Sequence, residues 1–301
     1  MTLDNNFVKK FGGNFSQDIK LSNYSWFNLG GNAEYFYKAK DKRQLFEFLT
    51  EAKKKNLKTT ILGAGSNTLF RDNGVKGVVI KLGNNFSYTK LIEKNILVTG
   101  AATLDRKVAN FAKDNNLGDF EFLSCIPGSI GGAIIMNSGC YDGDISKVLL
   151  SVNAIDKNKL SEIEIKKEDI KFSYRGTNLP DDLIIISAKF KGSICKKEEI
   201  EKKQFDFIER KKLSQPSQIK TCGSTFKNFS KNKKAWMLIK ESGCENFREG
   251  DAMISKKHCN FFVNNGKAKS SDIENLIKKV KKRVHDRTGI NLELEIKIVG
   301  E

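Results

Sequence analysis

The stretch that most constrains this chain is CIPGSIGGAIIMNSGCYDGD, residues 125–144. It holds five glycines and the first proline of the chain beside a short apolar run, Ala133, Ile134, Ile135 and Met136. Glycine serves where the backbone takes positive φ or lies close against another group. So many of them beside an apolar segment imply a backbone moulded to its surroundings rather than a solvated linker. Pro127-Gly128 signals a turn, and Gly131-Gly132 opens the apolar run like the entry to a helix. Unpaired N–H groups at such an entry favour an anion, typically phosphate. Two readings follow from the pattern: a phosphate cradle, or a tight turn leading into a buried helix.

A second glycine-bearing loop lies upstream. In TTILGAGSNTLF, residues 59–70, the apolar strand Thr60-Ile61-Leu62 runs directly into Gly63, Ala64, Gly65, Ser66 and Asn67. A strand emptying into small residues brings backbone N–H groups and hydroxyls to a phosphate, although many strand-to-loop turns share the pattern. It is not the dinucleotide fingerprint GxGxxG, because Thr68 stands where the third glycine belongs.

A 301-residue chain with 39% hydrophobic residues can bury a substantial core, and its length suits two domains or one large one. No apolar run approaches the roughly 18 residues a membrane span needs. The N-terminal MTLDNNFVKKFGG lacks the apolar centre of a secretory signal, so a soluble, cytoplasmic protein is expected. Six scattered cysteines without a CxxC pair point to reduced thiols, against a zinc site or disulfide framework. The formal charge of +17 admits a nucleic-acid surface. That charge is spread along the chain and is nearly all lysine, with eight arginines and no RNP box or zinc finger. A basic surface serves a small substrate carrying several phosphates equally well. Both histidines come late, at His258 and His285, which leaves a Ser-His-Asp mechanism or a histidine metal site poorly supplied.

Apolar spacing predicts a helix capped by Asp41 and running to about Lys55, with Leu45, Phe48, Leu49 and Ala52 on one face. A second helix is expected with Thr103 as its cap, burying Leu104, Val108, Phe111 and Ala112. Strands are expected at 78–82, 96–100, 151–156, 163–166 and 183–190. The charged stretch 196–212 reads as a helix with Ile200, Phe205 and Ile208 as its apolar line. Ser271 and Glu274 carry a capping-box signature for a helix lined by Ile273, Leu276, Ile277, Val280 and Val284 and ended by Gly289. Residues 292–299 alternate as a last strand carrying Glu293 and Glu295. Arg175, in the polar turn FSYRGTNLP (172–180), reads from chain order alone as a surface residue.

Together these stretches resemble one family, UDP-N-acetylenolpyruvoylglucosamine reductase, the flavoenzymes that complete UDP-N-acetylmuramate for peptidoglycan. WFNLGGNAEYF, LGAGSNTLF, IPGSIGGAIIMNSGCYDGDI, the Tyr174-Arg175 pair, CGSTFKN, KHCNFFVN and LELEIKIVGE follow the family's order from about residue 20 onward. The PGSIGGAxxMN block and GSTFKN are specific, whereas GAGSN is shared with a wider set of FAD proteins. Asn28 stands where relatives often have arginine, and Cys140 where alanine is usual. The short segment after Arg175 resembles the branch without a tyrosine-bearing insertion. The resemblance implies an α+β fold: a two-lobed FAD-binding region of the PCMH/vanillyl-alcohol-oxidase-like type plus a C-terminal α+β substrate domain, divided as 1–84, 85–205 and 206–301.

It also implies FAD and NADPH as cofactors. The FAD pyrophosphate would lie against Gly63, Ala64, Gly65, Ser66 and Asn67, and against Ile126, Pro127, Gly128, Ser129, Gly131 and Gly132. The implied reaction is NADPH-dependent reduction of the enolpyruvyl group of a UDP-sugar, a small-molecule substrate, with no nucleic-acid partner and no membrane insertion. By the same resemblance Arg175 and Glu295 hold and polarise the substrate carboxylate, Glu295 through a proton, and Ser224 donates the proton that completes the reduction. Tyr141, Lys212, Asn228 and His258 are expected substrate contacts. From the residues alone, Ser224 reads as a turn residue after Gly223, and Glu295 as a solvent-facing strand position. Two other functions suit parts of the pattern: a different FAD oxidoreductase, such as an oxidase of a sugar or alcohol, and a nucleic-acid-binding module.

Overall fold

The computed structural model describes residues 5–141, 143–230 and 232–301. Residues 1–4, which begin the N-terminal stretch, and Asp142 of the glycine-rich stretch lie outside the described residues. The chain forms two compact units, each assembled from discontinuous segments. The first takes Met1–Gln17, Tyr35–Ala64 and Gly77–Lys211; the second takes Asp18–Glu34, Gly65–Lys76 and Lys212–Glu301. Strands and helices alternate irregularly in both, giving an α+β fold. Among the described residues, no helix is long and apolar enough to cross a membrane.

In the first unit a five-stranded antiparallel sheet runs in the order Ser161–Lys166, Leu149–Asp156, Leu183–Lys191, Ile96–Gly100, Thr89–Glu93. The strand Leu183–Lys191 reads as an apolar run because both of its faces are covered. Ile184 and Ile186 pack with Tyr37, Phe48 and Val78, whereas Ile185, Ala188 and Phe190 pack with Val108, Ile130 and Ile134. A register shift between Asn153 and Ala154, opposite Ser187 and Ile185, moves the even-numbered positions onto the face of Ile185. Helix Lys42–Lys54 forms as expected, with Asp41 Oδ1 accepting from Gln44 N at 2.9 Å. It sets Phe48 against Tyr37, with ring centroids 4.0 Å apart, in an aromatic cluster with Phe7, Phe11 and Phe15.

Two helices of this unit depart from the expected pattern. The helix after residue 103 spans Asp105–Asp114 with Leu104 at its N-cap, while Thr103 Oγ1 donates to Tyr88 O at 2.9 Å and caps nothing. Leu104 is 48% exposed, and Ala109 joins Val108 and Ala112 in the core instead. Helix Lys197–Ser214 buries Ile200, Gln204 and Phe207 and leaves Phe205 62% exposed. Spacing of four and seven from Ile200 selects Phe207. A polar residue belongs to that stripe because Gln204 Nε2 donates to Ala109 O at 3.1 Å.

The core of the second unit gathers Phe27, Leu69, Phe226 and Phe262 with the apolar faces of helices Ala235–Glu241 and Ser270–Thr288. A small antiparallel sheet runs Arg248–Glu249, Ala252–Ile254, Phe262–Asn264, and Thr68–Phe70 pairs in parallel with Lys297–Val299. The capping box expected at Ser271 and Glu274 does not form. Asp272 Oδ2 accepts from Lys269 N at 2.8 Å, and the Asp72 carboxylate accepts from Ser270 N and Ser271 N at 2.7 and 2.9 Å. Glu274 pairs instead with Arg71 at 3.0 Å. Gly289 ends this helix in the left-handed conformation, as expected. The last strand is shorter than its alternation suggested. It covers Lys297–Val299, so Glu293 and Glu295 precede it in a segment that bridges to Phe226 through Leu294.

Candidate active site

In the first unit the strand Thr59–Leu62 pairs in parallel with residues 78–81 and delivers Gly63 and Ala64 at its end. A Cβ at Gly63 would lie 3.0 Å from Ser129 Oγ, so the two glycine-bearing loops meet at that point. Lys81 Nζ donates to Gly63 O at 2.6 Å, and burial pushes its ammonium pKa down. Ser129 is the N-cap of the short helix Ile130–Ile135. The backbone around it is laid along residues 103–105: Ile130 N donates to Thr103 O at 3.0 Å, and Asp105 N donates to Gly128 O at 3.2 Å.

The glycines of this loop serve different ends. Gly131 N donates to Ala101 O, and an added Cβ would sit 3.2 Å from Ala101 Cβ, so its smallness permits packing inside the protein. At Gly132 an added Cβ would meet only Ser129 Oγ, at 3.9 Å, and the residue is exposed. Its bare backbone faces open surface. At Gly128 a Cβ would come within 2.4 Å of Asp105 Oδ2.

Asp105 escaped the sequence reading. Its carboxyl is fully buried and neither oxygen has a hydrogen-bond partner. Burial therefore pushes its pKa well up, which favours the protonated acid beside Gly128. An acidic residue in the first turn of a helix is ordinarily a solvated complement to the helix dipole, so spacing gave no signal.

Arg175 occupies the two-residue turn of the hairpin Phe172–Ser173 with Gly176–Thr177, at φ +60°, with its guanidinium carbon 5.0 Å from the Tyr174 ring centroid. Asn137 Nδ2 donates to Ser173 O at 3.1 Å, and Thr177 Oγ1 to Ile135 O at 3.3 Å. These bonds tie the hairpin to the end of helix Ile130–Ile135. Tyr141, at φ +48°, stacks on Phe207 with centroids 4.8 Å apart.

In the second unit Gly65 has φ +70°, and a Cβ there would fall 1.7 Å from Tyr24 O, so no other residue fits. Ser66 follows it, half-buried. Asn67 Nδ2 donates to Glu295 O at 2.9 Å, and Lys297 N donates to Asn67 O at 2.9 Å. Glu295 N donates in turn to Thr225 O at 2.9 Å. Ser224 lies one residue before Thr225, follows Gly223 at φ +80°, and bridges to Phe261 on its other side. Asn260 locks this segment by accepting from Phe226 N at 3.0 Å and donating to Phe226 O at 2.8 Å. A lone asparagine carries no spacing signal, and the sequence reading passed over it.

Asn67, Ser224 and Glu295 thus share adjoining backbone segments. His258 Nδ1 accepts from Asn260 N at 3.3 Å, which leaves Nε2 to carry the proton of the neutral ring, and burial lowers its pKa. Its ring meets Phe261 edge-on, with centroids 4.8 Å apart. Asn228 Oδ1 accepts from Ala235 N at 3.1 Å at the start of a helix, and the Lys212 carbonyl accepts from Lys257 Nζ.

Residues 33–159 match the family of FAD binding domains, and residues 215–299 match the C-terminal domain of UDP-N-acetylenolpyruvoylglucosamine reductase. The chain is similar to the reductase of that name from Pelagibacter ubique, with 46% identity over 288 residues, covering 95% of this chain and 94% of the relative. It is similar also to the reductase from Orientia tsutsugamushi, with 43% identity over 300 residues and coverages of 98% and 97%. Among solved structures, UDP-N-acetylenolpyruvylglucosamine reductase from Thermus caldophilus superposes with a TM-score of 0.81 at 31% identity, covering 95% of this chain and 98% of that one.

Proposed function

This chain belongs to the UDP-N-acetylenolpyruvoylglucosamine reductase family, and on that premise we propose how its residues divide the chemistry. The activity is NADPH-dependent reduction of UDP-N-acetylglucosamine enolpyruvate to UDP-N-acetylmuramate through FAD, a step of peptidoglycan synthesis. Bound FAD supplies the hydride, taken from NADPH, to the enolpyruvyl double bond.

The chain's own residues do the rest. Hydride addition β to a carboxylate leaves negative charge spread into that carboxylate, and fixed cations or donors aimed at it lower the barrier. Arg175 supplies the fixed cation, and Glu295 holds the same carboxylate through a shared proton. Ser224 gives its hydroxyl proton to the carbon left anionic. Serine is a weak acid, but a carbon-centred anion is basic enough to take a proton from one that is well placed. The observation that carries this assignment is the 2.9 Å bond from Glu295 N to Thr225 O, which holds Glu295 next to the Ser224 segment.

For the flavin, three observations support the glycine-bearing loops. Gly63 and Ser129 meet, Gly132 presents bare backbone to open surface, and burial disfavours a negative charge on the acid beside Gly128. Gly63, Ala64, Gly65, Ser66 and Asn67 would hold it together with Ile126, Pro127, Gly128, Ser129, Gly131 and Gly132. The same proposal gives 1–84 and 85–205 to FAD and 206–301 to substrate. It makes Lys212, Asn228 and His258 contacts to the sugar nucleotide and Tyr141 a border of the nicotinamide or substrate. We place the reaction in the cytoplasm, the compartment that supplies NADPH and UDP-sugars. The test is NADPH oxidation with and without the enolpyruvyl sugar nucleotide. Oxidation that depends on it is expected; equally fast oxidation without it, with oxygen consumed, would mark an oxidase instead.

A further inference from the structure

Two cysteines stand outside this chemistry yet border its residues. Cys125 directly precedes Ile126, and Cys140 directly precedes Tyr141. Cys125 closes the short 3₁₀ turn Glu121–Cys125, while Cys140 lies on the two-residue strand Gly139–Cys140. Cys140 Sγ donates to Phe122 O, within that same turn, at 3.3 Å, which brings the two thiols close enough to bias each other's ionisation. Around them, Ser124 Oγ lies 3.7 Å from Cys125 Sγ, and the half-buried Lys211 donates from Nζ to Cys125 O at 2.6 Å. Arg175 adds a second positive charge on the Cys140 side. Both thiols are free.

We propose that Cys125 and Cys140 are a redox modification site, closing to a reversible disulfide when the protein meets a hydroperoxide. The geometry divides the labour. The neighbouring Cys140 and the Lys211 charge pull the Cys125 thiol below its usual range, while Cys125 and burial push Cys140 up. The Cys125 thiolate attacks one peroxide oxygen, forming an S–O bond as the O–O bond breaks, and the departing hydroxide takes up a proton to become water. The Cys140 sulfur then attacks Cys125, forming the S–S bond and displacing the oxygen, which leaves with the Cys140 proton as a second water. In sum, two thiols are oxidised and one hydrogen peroxide is reduced, giving a disulfide and two waters. A dithiol reverses it. A pair of this kind suits a reducing compartment, where disulfides are transient and sensing.

The full-length, FAD-loaded protein treated with hydrogen peroxide, then denatured and alkylated, reads this directly by intact mass and peptide mapping. Before alkylation the mass should fall by two hydrogens; two of the six thiols should then escape alkylation, and one cross-linked peptide should join Cys125 to Cys140. Dithiothreitol should restore all six. In Cys140→Ala, or Cys140→Ser should the first fold poorly, Cys125 should gain oxygen instead, whereas Cys195→Ser should still lose two thiols. Six alkylatable thiols after peroxide overturn the proposal, as does a cross-link that omits either cysteine. Oxygen added to Cys125 in the wild type, with Cys140 still alkylatable, overturns it too.

Discussion

Asn67 Nδ2 donates to Glu295 O at 2.9 Å, closing a separation of 228 positions in the chain. Residues 65–67 of the glycine-bearing loop and the backbone of the glutamate proposed to hold the substrate are therefore tied together within the second unit. Asn67→Ala removes the bond. It should lower the unfolding free energy by about 1 kcal/mol in a urea titration, and slow substrate turnover more than flavin reduction by NADPH. Wild-type stability and wild-type turnover together would show that the bond positions nothing.

The glycines separate by what an added Cβ meets. Gly132→Val should lose non-covalent flavin, read as the ratio of flavin to protein absorbance, while circular dichroism stays unchanged. Gly131→Val, pressed against Ala101, should lose stability along with flavin. Gly65→Ala should be the worst folded of the three, because its Cβ falls on Tyr24 O and its φ is positive. Full flavin occupancy in Gly132→Val would move the pyrophosphate away from this loop.

Asp105 makes a prediction about pH. Its folded-state pKa lies above the roughly 3.9 of an unfolded aspartate. Between the two values the folded protein keeps a proton that the unfolded chain has released, so stability from this group falls as pH rises. The contribution is complete below about pH 3.9 and is lost progressively as pH climbs towards the raised value. Asparagine has no such slope. Wild-type stability minus that of Asp105→Asn should therefore fall as pH rises above about 4, by up to roughly 1.4 kcal/mol per pH unit. Parallel stability curves would contradict a neutral buried acid.

What the sequence made legible follows from how local each cause is. Asp41 caps its helix because the bond to Gln44 N spans three residues, and periodicity found Phe48 and Leu49 for the same reason. Thr103 failed as a cap because its hydroxyl has a better partner in Tyr88 O, fifteen positions away. The start of the last helix is set by Asp72, about two hundred positions upstream, so the local Ser271 and Glu274 pattern misled. Glu295 was found through a motif, yet its surroundings were not: the strand expected there gives way to bonds with Asn67 and Thr225. Burial of Asp105, and the meeting of Cys125 with Cys140, depend on tertiary packing and left no trace in spacing.

The charge of +17 bears on kinetics. NADPH and a UDP-sugar are both polyanions, and a positive surface attracts them over a screening length of about 8 Å at physiological ionic strength. KM for both should rise with added salt while kcat changes less. KM values that stay flat across the salt range would mean that the lysines do not steer either ligand.

Ser224 carries the central claim, because it separates proton transfer to the substrate from the hydride supply. Flavin reduction by NADPH needs no proton donated to the sugar, whereas turnover of the enolpyruvyl group does. Ser224→Ala should therefore leave the first half-reaction near wild type and slow the second by the upper part of the roughly 10² to 10⁴ that a positioned general acid provides. Ser224→Cys should recover part of the loss, since a thiol also donates. Stopped-flow absorbance follows both halves: flavin bleaching with NADPH, then its return when substrate is added to the reduced enzyme. Slow return with normal bleaching is the predicted result; return as fast as wild type in Ser224→Ala would contradict the account.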